Sequence, residues 1–520
     1  MIIKEQRIYP GGAATSASVN KSVEGTHNLS FCPRTERALT ERSVKPVIGD
    51  IHEECGVFGI FEPRPAKVAD MVYLGLLALQ HRGQESCGIA VCDDGVFRHK
   101  RADGLVSEVF TREVLDKLGQ ENMAVGHVRY STTGGNDHNN IQPLVIRHIK
   151  GNMALVHNGN LVNASELRRS FEKSGAIFHG TSDTESIAYT IVRERLVTSS
   201  TEEAVERAMP LIKGAYSCIL MTATKLIAFR DVKGFRPLCI GKTADGAYVV
   251  ASESCALDAV GAAFERDVLP GEIVVISDEG ISSIKTHCRS EKHICIFEYI
   301  YFARPDSVIE GTSVAQARLN AGRILARTSP VNADIVIGVP DSGLDAALGY
   351  SVESGIPYAA GFVKNRYVGR SFIQPTQTMR ENAVRIKLNA IRQVVSGKRV
   401  VMIDDSIVRG TTSARIIRLV REAGAKEVHM RISSPPFTHN CYFGTDIDDE
   451  EKLIANKYSS IAEIAKAIGA DSLDYLPVSE LKNLLADTKM GCCEGCFTGC
   501  YPEDVSGAGT KNKFDEKIHK

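Results

Sequence analysis

The chain has no long apolar run, no strong charge bias and no internal repeat. No segment approaches about 18 consecutive apolar residues, so a transmembrane helix is not expected. The net charge is −1, so no overall field attracts nucleic acid or a membrane surface. A secretory apolar segment is also missing. The 14 cysteines are therefore expected in a reducing, cytoplasmic compartment, where thiols serve catalysis or metals more often than disulfides.

Residues 1–54 are predicted to be a leader that is removed. The first 48 residues are rich in Ser, Thr, Lys and Arg and have weak hydrophobic periodicity. Organelle targeting is the weaker alternative, because transit peptides are poor in acidic residues and this segment contains Glu5, Glu24, Glu36 and Glu41.

The remaining chain changes its pattern near residue 290, and its length allows two or three domains. From 55 to 290, short apolar strands are interspersed with helices, which predicts a layered α+β domain. From 291 to 480, continuous apolar strands alternate with Gly-rich turns and helices, which predicts an α/β domain with a parallel sheet covered on both faces. Residues 481–520 are predicted to be a polar tail with a group of cysteines at 492–500. The predicted strands are Gly88–Cys92, Met123–Val128, Met153–Val156, Ser217–Ala223, Ala247–Ala251, Glu272–Ile276, Asp334–Val339, Arg399–Ile403 and Glu427–Ser433, and the predicted helices lie near 67–80, 163–173, 184–196 and 202–212, from 344 onward and up to 422.

Cys55 is the most informative residue of the chain. It begins Cys-Gly-Val-Phe-Gly-Ile and is followed, from Gln80, by Gln-His-Arg-Gly-Gln-Glu. This resembles the N-terminal nucleophile of glutamine amidotransferases, in which the cysteine becomes residue one of the mature protein. The resemblance implies that its sulfur attacks a carboxamide while its own α-amine, which titrates near pH ~8 when free, acts as general base. An amine bound to Glu54 is no base, so removal of residues 1–54 is expected to activate the chemistry.

Three further motifs suit a glutaminase. An arginine at a strand end, Arg129, can clamp a carboxylate, and Asp183 at a helix start can pair with an ammonium group. The amide of Asn158 and the backbone N–H of Gly159 can form an oxyanion hole. By resemblance, Arg129 and Asp183 bind glutamine, Asn158 and Gly159 stabilise the oxyanion, and His81, His127 and His157 are structural. Taken singly, the motifs have alternative readings as a surface ion pair, a helix N-cap and a turn.

A second group of candidate binding residues follows the predicted strand that ends at Ile403. Two carboxylates at a strand's C-terminal end can hold ribose hydroxyls and Mg²⁺, and the next turn and helix N-terminus can cradle a 5-phosphate. The sequence of strand, acidic pair, Gly-Thr-Thr and helix resembles the binding motif for phosphoribosyl pyrophosphate (PRPP). The expected Mg²⁺ residues are Ser342, Asp404 and Asp405, and the expected 5-phosphate residues are Ser406, Gly410, Thr411 and Thr412.

The segment from Lys364 to Phe372 is basic and contains a glycine, which is typical of a loop that orders over an anionic substrate. Lys364, Arg385 and Lys387 are the candidates for binding pyrophosphate. The alternative is a solvated basic face.

Cys493 and Cys496 have the two-residue spacing that grips a metal between thiolates. Cys295 and Cys441 are the best candidates for the other two ligands. The arrangement resembles PRPP amidotransferases that carry a [4Fe–4S] cluster. Structural zinc and uncoordinated thiols are the alternatives, and Cys492 and Cys500 lie close enough in sequence to compete as ligands.

From residue 53 to about residue 502, the chain resembles the PRPP amidotransferases that are processed from a precursor. This family combines a hydrolase fold of the N-terminal-nucleophile type with a type I phosphoribosyltransferase fold. The leader is longer than the propeptide usual in this type, so an added segment or an upstream start is an alternative.

The family's reaction is implied by the same resemblance. Glutamine yields glutamate and ammonia, which passes through an internal channel to C1 of PRPP and gives 5-phospho-β-ribosylamine and pyrophosphate, the first committed step of purine synthesis. Mg²⁺, inhibition by purine nucleotides and a homotetramer or homodimer are also implied. One alternative is a glutaminase that serves a sugar phosphate, which the Asp404–Thr412 motif disfavours. Another is a PRPP-sensing regulator with a dead glutaminase, which the presence of Cys55, Arg129 and Asp183 disfavours.

Overall fold

Two antiparallel sheets pack face to face in the first half of the chain. The computed structural model describes residues 55–130, 138–288, 291–365, 388–445, 447, 449–485 and 491–508. In sheet order, the seven-stranded sheet contains Ala262–Asp267, Cys239–Thr243, Tyr248–Ala251, Gly56–Ala66, Glu121–Arg129, Ser86–Asp93 and Val96–Asp103. The six-stranded sheet contains Gly280–Ile284, Ile273–Ser277, Leu226–Arg230, Gly214–Met221, Gly151–Leu161 and Leu144–His148. We call this region, residues 56–284, the sandwich.

Side-chain alternation explains why both faces of each sheet are buried. In strand Glu121–Arg129, Val125 points to the second sheet and packs with Val57 and Val156, whereas Val128 belongs to the outer core. Successive strand residues face opposite sides, so an apolar strand serves two cores at once.

Helices cover the outer faces of the sandwich. Val68–Ala78 and Ser254–Ala259 pack on the first sheet, and Asp183–Arg195 and Thr201–Ala208 pack on the second. The other helical segments of this region are Val106–Val109, Arg112–Leu118 and Ala164–Lys173, with 3₁₀ turns at His138–Asn140 and Met209–Leu211. The resulting layer order of helix, sheet, sheet and helix agrees with the predicted layered α+β fold.

A four-stranded parallel sheet dominates the second half. Its strands, in sheet order, are Ile335–Gly338, Arg399–Asp404, Glu427–Ile432 and Ser472–Tyr475. Val401 packs on one face with helices Val314–Thr328 and Gly343–Ser354, and Val400 packs on the other with Thr411–Glu422 and Ile461–Ile468. The predicted parallel sheet with two covered faces is therefore confirmed. The remaining helical segments here are the π-helix Glu298–Phe302, Arg392–Val395, Ile454–Lys457 and Leu481–Leu484, with 3₁₀ turns at Glu450–Lys452 and Val478–Glu480.

Three short ribbons complete the described part of the chain. Val308–Ile309 pairs with Thr312–Ser313, and Phe362–Lys364 pairs with Leu388–Ala390. His293–Cys295 pairs in parallel with Gly491–Cys493, which is followed by helix Gly495–Thr498, so the tail returns to the junction after the sandwich. None of the described helices is long and apolar enough to cross a membrane.

Most predicted elements agree with the structure to within about two residues. The helix expected near 202–212 is an exception, because its α-helical part ends at Ala208 and a 3₁₀ turn follows. Pro210 explains the difference, since proline has no N–H to donate and its ring clashes with the carbonyl four residues earlier. The domain limits at 290 and 480 stay predictions.

Candidate active sites

Cys55 lies directly before Gly56–Ala66, the central strand of the first sheet. Gly56 is paired with Val128, which places Cys55 beside Arg129 at the end of the neighbouring strand. The Cys55 side chain is 9% exposed, and its Sγ donates a hydrogen bond to the backbone oxygen of Tyr130 at 3.5 Å. The predicted nucleophile and the predicted carboxylate clamp are therefore neighbours across a β-ladder.

Arg129 is buried, with 5% exposure, so the alternative reading as a surface ion pair is wrong. Two residues before it, Nε2 of His127 lies 3.1 Å from the backbone oxygen of His157 in the second sheet. This contact crosses the gap between the sheets. It brings the strand end that carries Arg129 close to the strand end that carries Asn158.

Asn158 and Gly159 lie inside strand Gly151–Leu161, opposite Ser217 and Tyr216, so the alternative reading as a turn is wrong. Asn158 is 1% exposed, and within the described residues its Nδ2 has no hydrogen-bond partner. Gly159 has a φ of +143°, and a Cβ there would lie 2.1 Å from the backbone oxygen of Ala215. Only glycine fits this position. The buried Nδ2 donor of Asn158 therefore lies next to a tightly packed stretch of backbone.

Asp183 is the first residue of helix Asp183–Arg195, and Ser182 is the N-cap, with its side chain accepting from the N–H of Thr184. The alternative reading of Asp183 as an N-cap is therefore wrong. Its Oδ2 accepts a hydrogen bond from the N–H of Leu161 at 2.9 Å, and its Oδ1 lies 3.6 Å from Nδ1 of His157. Asp183 thus lies next to the strand that carries Asn158.

Burial disfavours the charged form of two buried histidines. Burial lowers the pKa of His127 to about 3. Burial also lowers the pKa of His157, although the charge of Asp183 opposes the shift. His127 links the two sheets through the backbone oxygen of His157, and Nδ1 of His157 lies 3.2 Å from Oγ1 of Thr184 in helix Asp183–Arg195. The structural role expected for these histidines stays a prediction.

The predicted PRPP motif lies at the C-terminal edge of the parallel sheet. Asp404 ends strand Arg399–Asp404, and its Oδ1 accepts the N–H of Asp405 at 3.0 Å. The Asp405 carboxylate accepts hydrogen bonds from the hydroxyls of Ser342 and Ser406. Burial raises the pKa of Asp405. Two carboxylates and two hydroxyls therefore meet where two parallel strands end.

The next turn leads into a helix N-terminus. Gly410 has a φ of +81° and precedes helix Thr411–Glu422, which makes Thr411 and Thr412 its first residues. A Cβ at Gly410 would lie 2.3 Å from Cδ1 of Ile454, so this close turn requires glycine. Helix N-termini offer N–H groups and a partial positive charge to phosphate.

The basic residues are only partly described. Nζ of Lys364 lies 2.5 Å from Oδ2 of Asp341, next to Ser342. Arg385 and Lys387 lie outside the described residues.

Four cysteines from three segments converge on the tail. Cys295 is paired with Cys493 in the parallel ribbon. Burial and, in order, the neighbouring thiols of Cys441, Cys493 and Cys295 raise the pKa of Cys496. Within the described residues, none of these four cysteines is part of a disulfide, and neither is the half-buried Cys492 or the exposed Cys500. A set of four buried or half-buried thiols suits a group that is held by thiolates.

Within the described residues, no cluster of three or more His, Cys, Asp or Glu side chains is arranged to hold a single metal ion. For Mg²⁺ this is compatible with the acidic pair, because Mg²⁺ keeps several waters and is bound through one or two carboxylates and substrate phosphates.

Sequence reasoning missed a buried ion network beside Cys55. Arg82 donates to the backbone oxygen of Cys55 at 3.0 Å and to the carboxylates of Glu253 and Glu298. Glu298 also pairs with Arg236. The position of Arg82 in the Gln-His-Arg-Gly-Gln-Glu motif was the available signal, because this motif follows Cys55 in the resemblance.

Known proteins share both the sequence and the arrangement. A family model described as a glutamine amidotransferase domain matches residues 127–259. The amidophosphoribosyltransferase of Bacillus subtilis is 49% identical over 88% of this chain and 96% of its own length. That of Archaeoglobus fulgidus is 48% identical over 87% of this chain and 99% of its own length. The chain belongs to the amidophosphoribosyltransferase family.

Two solved structures extend the similarity to the fold. One is the B. subtilis glutamine PRPP amidotransferase in complex with ADP and GMP, which is 48% identical, covers 88% of this chain and 99% of its own, and has a TM-score of 0.81. The other, described as the allosteric regulatory enzyme of purine biosynthesis, is 48% identical with 89% and 99% coverage and a TM-score of 0.83.

The expected fold class and activity are confirmed by family membership. Amidophosphoribosyltransferases are glutamine-dependent pentosyltransferases, and this chain catalyses the first step of purine biosynthesis. The two alternatives, a sugar-phosphate amidotransferase and a regulator with an inactive glutaminase, are thereby set aside.

Proposed function

We propose that the chain is a two-site enzyme in which Cys55 releases ammonia from glutamine and the Asp404–Thr412 turn binds PRPP. The buried Nδ2 of Asn158, which has no hydrogen-bond partner within the described residues, carries this proposal. An unpaired buried amide donor is costly, and an oxyanion at this position would satisfy it. The N–H of Gly159 is the second donor.

Glutamine is held by opposite charges at its α-carbon. Arg129 receives the α-carboxylate and Asp183 the α-ammonium, so the side-chain carboxamide is directed to Cys55. The Sγ attacks the carboxamide carbon, the α-amine of a processed Cys55 moves the proton to the departing ammonia, and water then releases glutamate from the thioester. The pKa of His127, about 3, makes it a poor base, and neither His127 nor His157 is assigned a proton-transfer role in this scheme.

PRPP is held at the edge of the parallel sheet. The N-terminus of helix Thr411–Glu422, with Ser406, Gly410, Thr411 and Thr412, binds the 5-phosphate. Asp404, Asp405 and Ser342 hold the ribose hydroxyls and Mg²⁺, which neutralises charge on the pyrophosphate. Lys364, Arg385 and Lys387 supply positive charge to the same leaving group.

The four thiols of Cys295, Cys441, Cys493 and Cys496 are the proposed ligands of a [4Fe–4S] cluster, which supplies a structural link between the tail and the junction. Two of them already pair in one ribbon, which supports this assignment. We further propose a cytoplasmic enzyme that self-associates and is inhibited by purine nucleotides. The complex of the B. subtilis relative with ADP and GMP supports nucleotide binding.

The N-terminal mass of anaerobically expressed protein tests the nucleophile. We expect the wild type to lack residues 1–54 and Cys55→Ala to retain them, because the thiol is needed for self-cleavage. An intact leader in active protein would contradict the free-amine mechanism. Glutamine hydrolysis with and without PRPP, measured on the same samples, separates processing from turnover.

A further inference from the structure

A buried ion network joins the sandwich to the chain that follows it. Glu298 is the first residue of the π-helix Glu298–Phe302 and is fully buried. Its carboxylate accepts hydrogen bonds from Arg82 at 2.8 and 2.9 Å and from Arg236 at 3.3 Å. Both guanidinium groups are also buried, at 1% and 0% exposure. Glu298 therefore connects two arginines that belong to different parts of the sandwich.

The Arg82 end of the network reaches the predicted nucleophile. Nε of Arg82 donates to the backbone oxygen of Cys55 at 3.0 Å, while Nη1 also bonds Glu253 at 2.6 Å. The guanidinium is planar and its donors point in fixed directions, so both carboxylates determine where Nε lies. The position of the Cys55 carbonyl thus depends on Glu298.

The Arg236 end reaches the predicted oxyanion hole through Tyr442, Phe443 and Gly444, which we call the docking segment. Nη2 and Nε of Arg236 donate to the backbone oxygen of Phe443 at 2.7 and 3.2 Å. Nδ2 of Asn160 donates to the backbone oxygen of Tyr442 at 2.9 Å. Gly444, with a φ of +122°, lies beside Arg236 and Gly159: a Cβ there would meet Nη2 of Arg236 at 2.9 Å and make an ordinary van der Waals contact with the carbonyl carbon of Gly159 at 3.5 Å.

The network pairs buried groups of opposite charge. Two buried arginines, Arg82 and Arg236, face two buried carboxylates, Glu253 and Glu298. Burial alone would raise the pKa of Glu253, but His81 and Arg82 outweigh it and hold this pKa below its ordinary value. Removal of either carboxylate would leave a buried guanidinium group without compensation, which is strongly unfavourable.

We propose that Glu298 is a positioning residue. By orienting Arg82 and Arg236, it fixes the position of Cys55 relative to the oxyanion hole at Asn158 and Gly159. The proposal rests on the glutaminase function proposed above. Glu298 touches neither substrate nor reacting atoms in this scheme. It acts by orienting two arginines, and it belongs to the segment that leads from the sandwich to the parallel sheet.

Two variants and one matched control test this role. Glu298→Gln keeps the shape and removes the charge, and Arg236→Lys keeps the charge and removes the two-donor contact with Phe443. Glu310→Gln is the control, because Glu310 pairs with the buried Arg230 in the same part of the chain. Among the described residues, this ion pair involves neither Cys55 nor the docking segment. Each protein is purified, its N-terminal mass is checked for loss of residues 1–54, and the processed enzyme is assayed for glutamine hydrolysis with PRPP and for PRPP transfer from ammonium chloride.

We expect the glutaminase kcat of both test variants to fall by about 10²-fold, the loss caused by a misplacement of roughly 1 Å, with little change in KM for glutamine. Transfer from ammonium chloride should stay near the wild-type rate, and Glu310→Gln should resemble the wild type in both assays. Loss of both activities together, or a wild-type kcat in the test variants, would overturn the proposal. If Glu298→Gln does not fold, Arg236→Lys decides by the same criteria. A wild-type enzyme without glutaminase activity would instead refute the proposed function.

Discussion

The carboxylate of Asp183 accepts a hydrogen bond at 2.9 Å from the backbone N–H of Leu161, three residues after Asn158 on the same strand. The first residue of a helix is thereby fixed to the strand that carries the predicted oxyanion hole. Asp183 is 6% exposed, so its charge acts in a poorly solvated environment. One local contact therefore links the residue proposed to bind the substrate ammonium group to the strand of the proposed oxyanion hole.

Replacement of Asp183 by Asn should weaken glutamine binding. A hydrogen bond to a charged group contributes about 1.5–3 kcal/mol, so kcat/KM for glutamine should fall about 10- to 100-fold, mainly through KM. Steady-state glutamine hydrolysis measures the effect. Glu185→Gln is the control, because Glu185 lies in the same helical turn but bonds the N–H groups of His179 and Gly180. Equal KM changes in both variants would contradict the role of Asp183.

Replacement of Asn158 by Ala should lower the glutaminase kcat by about 10²- to 10³-fold, because one oxyanion donor is lost. Transfer from ammonium chloride should continue, since it bypasses this site. Asn152→Ala is the control on the same strand, where Nδ2 of Asn152 donates to Gly95. A glutaminase kcat equal in Asn158→Ala and Asn152→Ala would count against the oxyanion role.

Replacement of Asp405 by Asn should lower PRPP-dependent transfer by about 10²-fold or more, because a carboxylate that stabilises the Mg²⁺–substrate complex is lost. Asp474→Asn provides the control, since Asp474 lies on the edge strand of the same sheet and pairs with Arg431 at 3.5 Å. PRPP transfer from ammonium chloride is the appropriate measurement. An Asp405→Asn enzyme with the wild-type rate would exclude this residue from the PRPP site.

Cys493→Ser should lose iron and acid-labile sulfide together, whereas Cys500→Ser should retain both, because Cys500 is exposed and Cys493 is buried in the ribbon with Cys295. Metal and sulfide analysis of anaerobically purified protein measures this. Zinc without sulfide in the wild type would support the zinc alternative. Unchanged iron in Cys493→Ser would mean that another thiol is the ligand.

Stability should decrease between about pH 4.5 and 7 because of Glu503. Burial, followed by the charge of Asp231, raises the pKa of Glu503 to about 7, so the folded chain holds this proton more tightly than the unfolded chain. The resulting stabilisation is complete below the unfolded pKa and is lost as the pH rises to about 7. Glu503→Gln mimics the neutral acid and should therefore melt at a higher temperature than wild type at pH 8, with only a small difference at pH 5.

Thermal melts at several pH values test the titration of Glu503. Asp504→Asn is the neighbouring control, because contacts with Ser506 lower the pKa of this exposed carboxyl. The difference in melting temperature between Asp504→Asn and wild type should be constant from pH 5 to 8. A pH-independent difference between Glu503→Gln and wild type would contradict the raised pKa.

The sequence was sufficient where one local pattern determines one element. The continuous apolar run before Asp404 predicted a buried strand, and the glycine and threonines after it predicted the following helix start. The buried network could not be predicted in this way. Arg82 pairs with partners 171 and 216 residues away, which no local pattern reveals. Charged residues are also rarely buried, so an arginine is expected at the surface.

The predicted pyrophosphate-binding residues Arg385 and Lys387 illustrate a second limit of prediction from sequence. A basic segment predicts affinity for phosphate, but its geometry depends on where the segment lies relative to Asp405. For Lys364 the structure provides a partner, Asp341, and so places one positive charge beside the sheet edge. The pyrophosphate role of these residues stays a prediction.

The hydrogen bond between Asn160 and Tyr442 can form only late in the synthesis of the chain. The two residues are 282 positions apart, so at about 5–20 residues per second the ribosome needs about 14–56 s to add the partner of Asn160. During this interval both sheets of the sandwich can form, but the strand end at Asn158 lacks its support from the docking segment. On a nascent chain, the contact between Asn160 and the docking segment can therefore form only after most of the PRPP-binding half has been made.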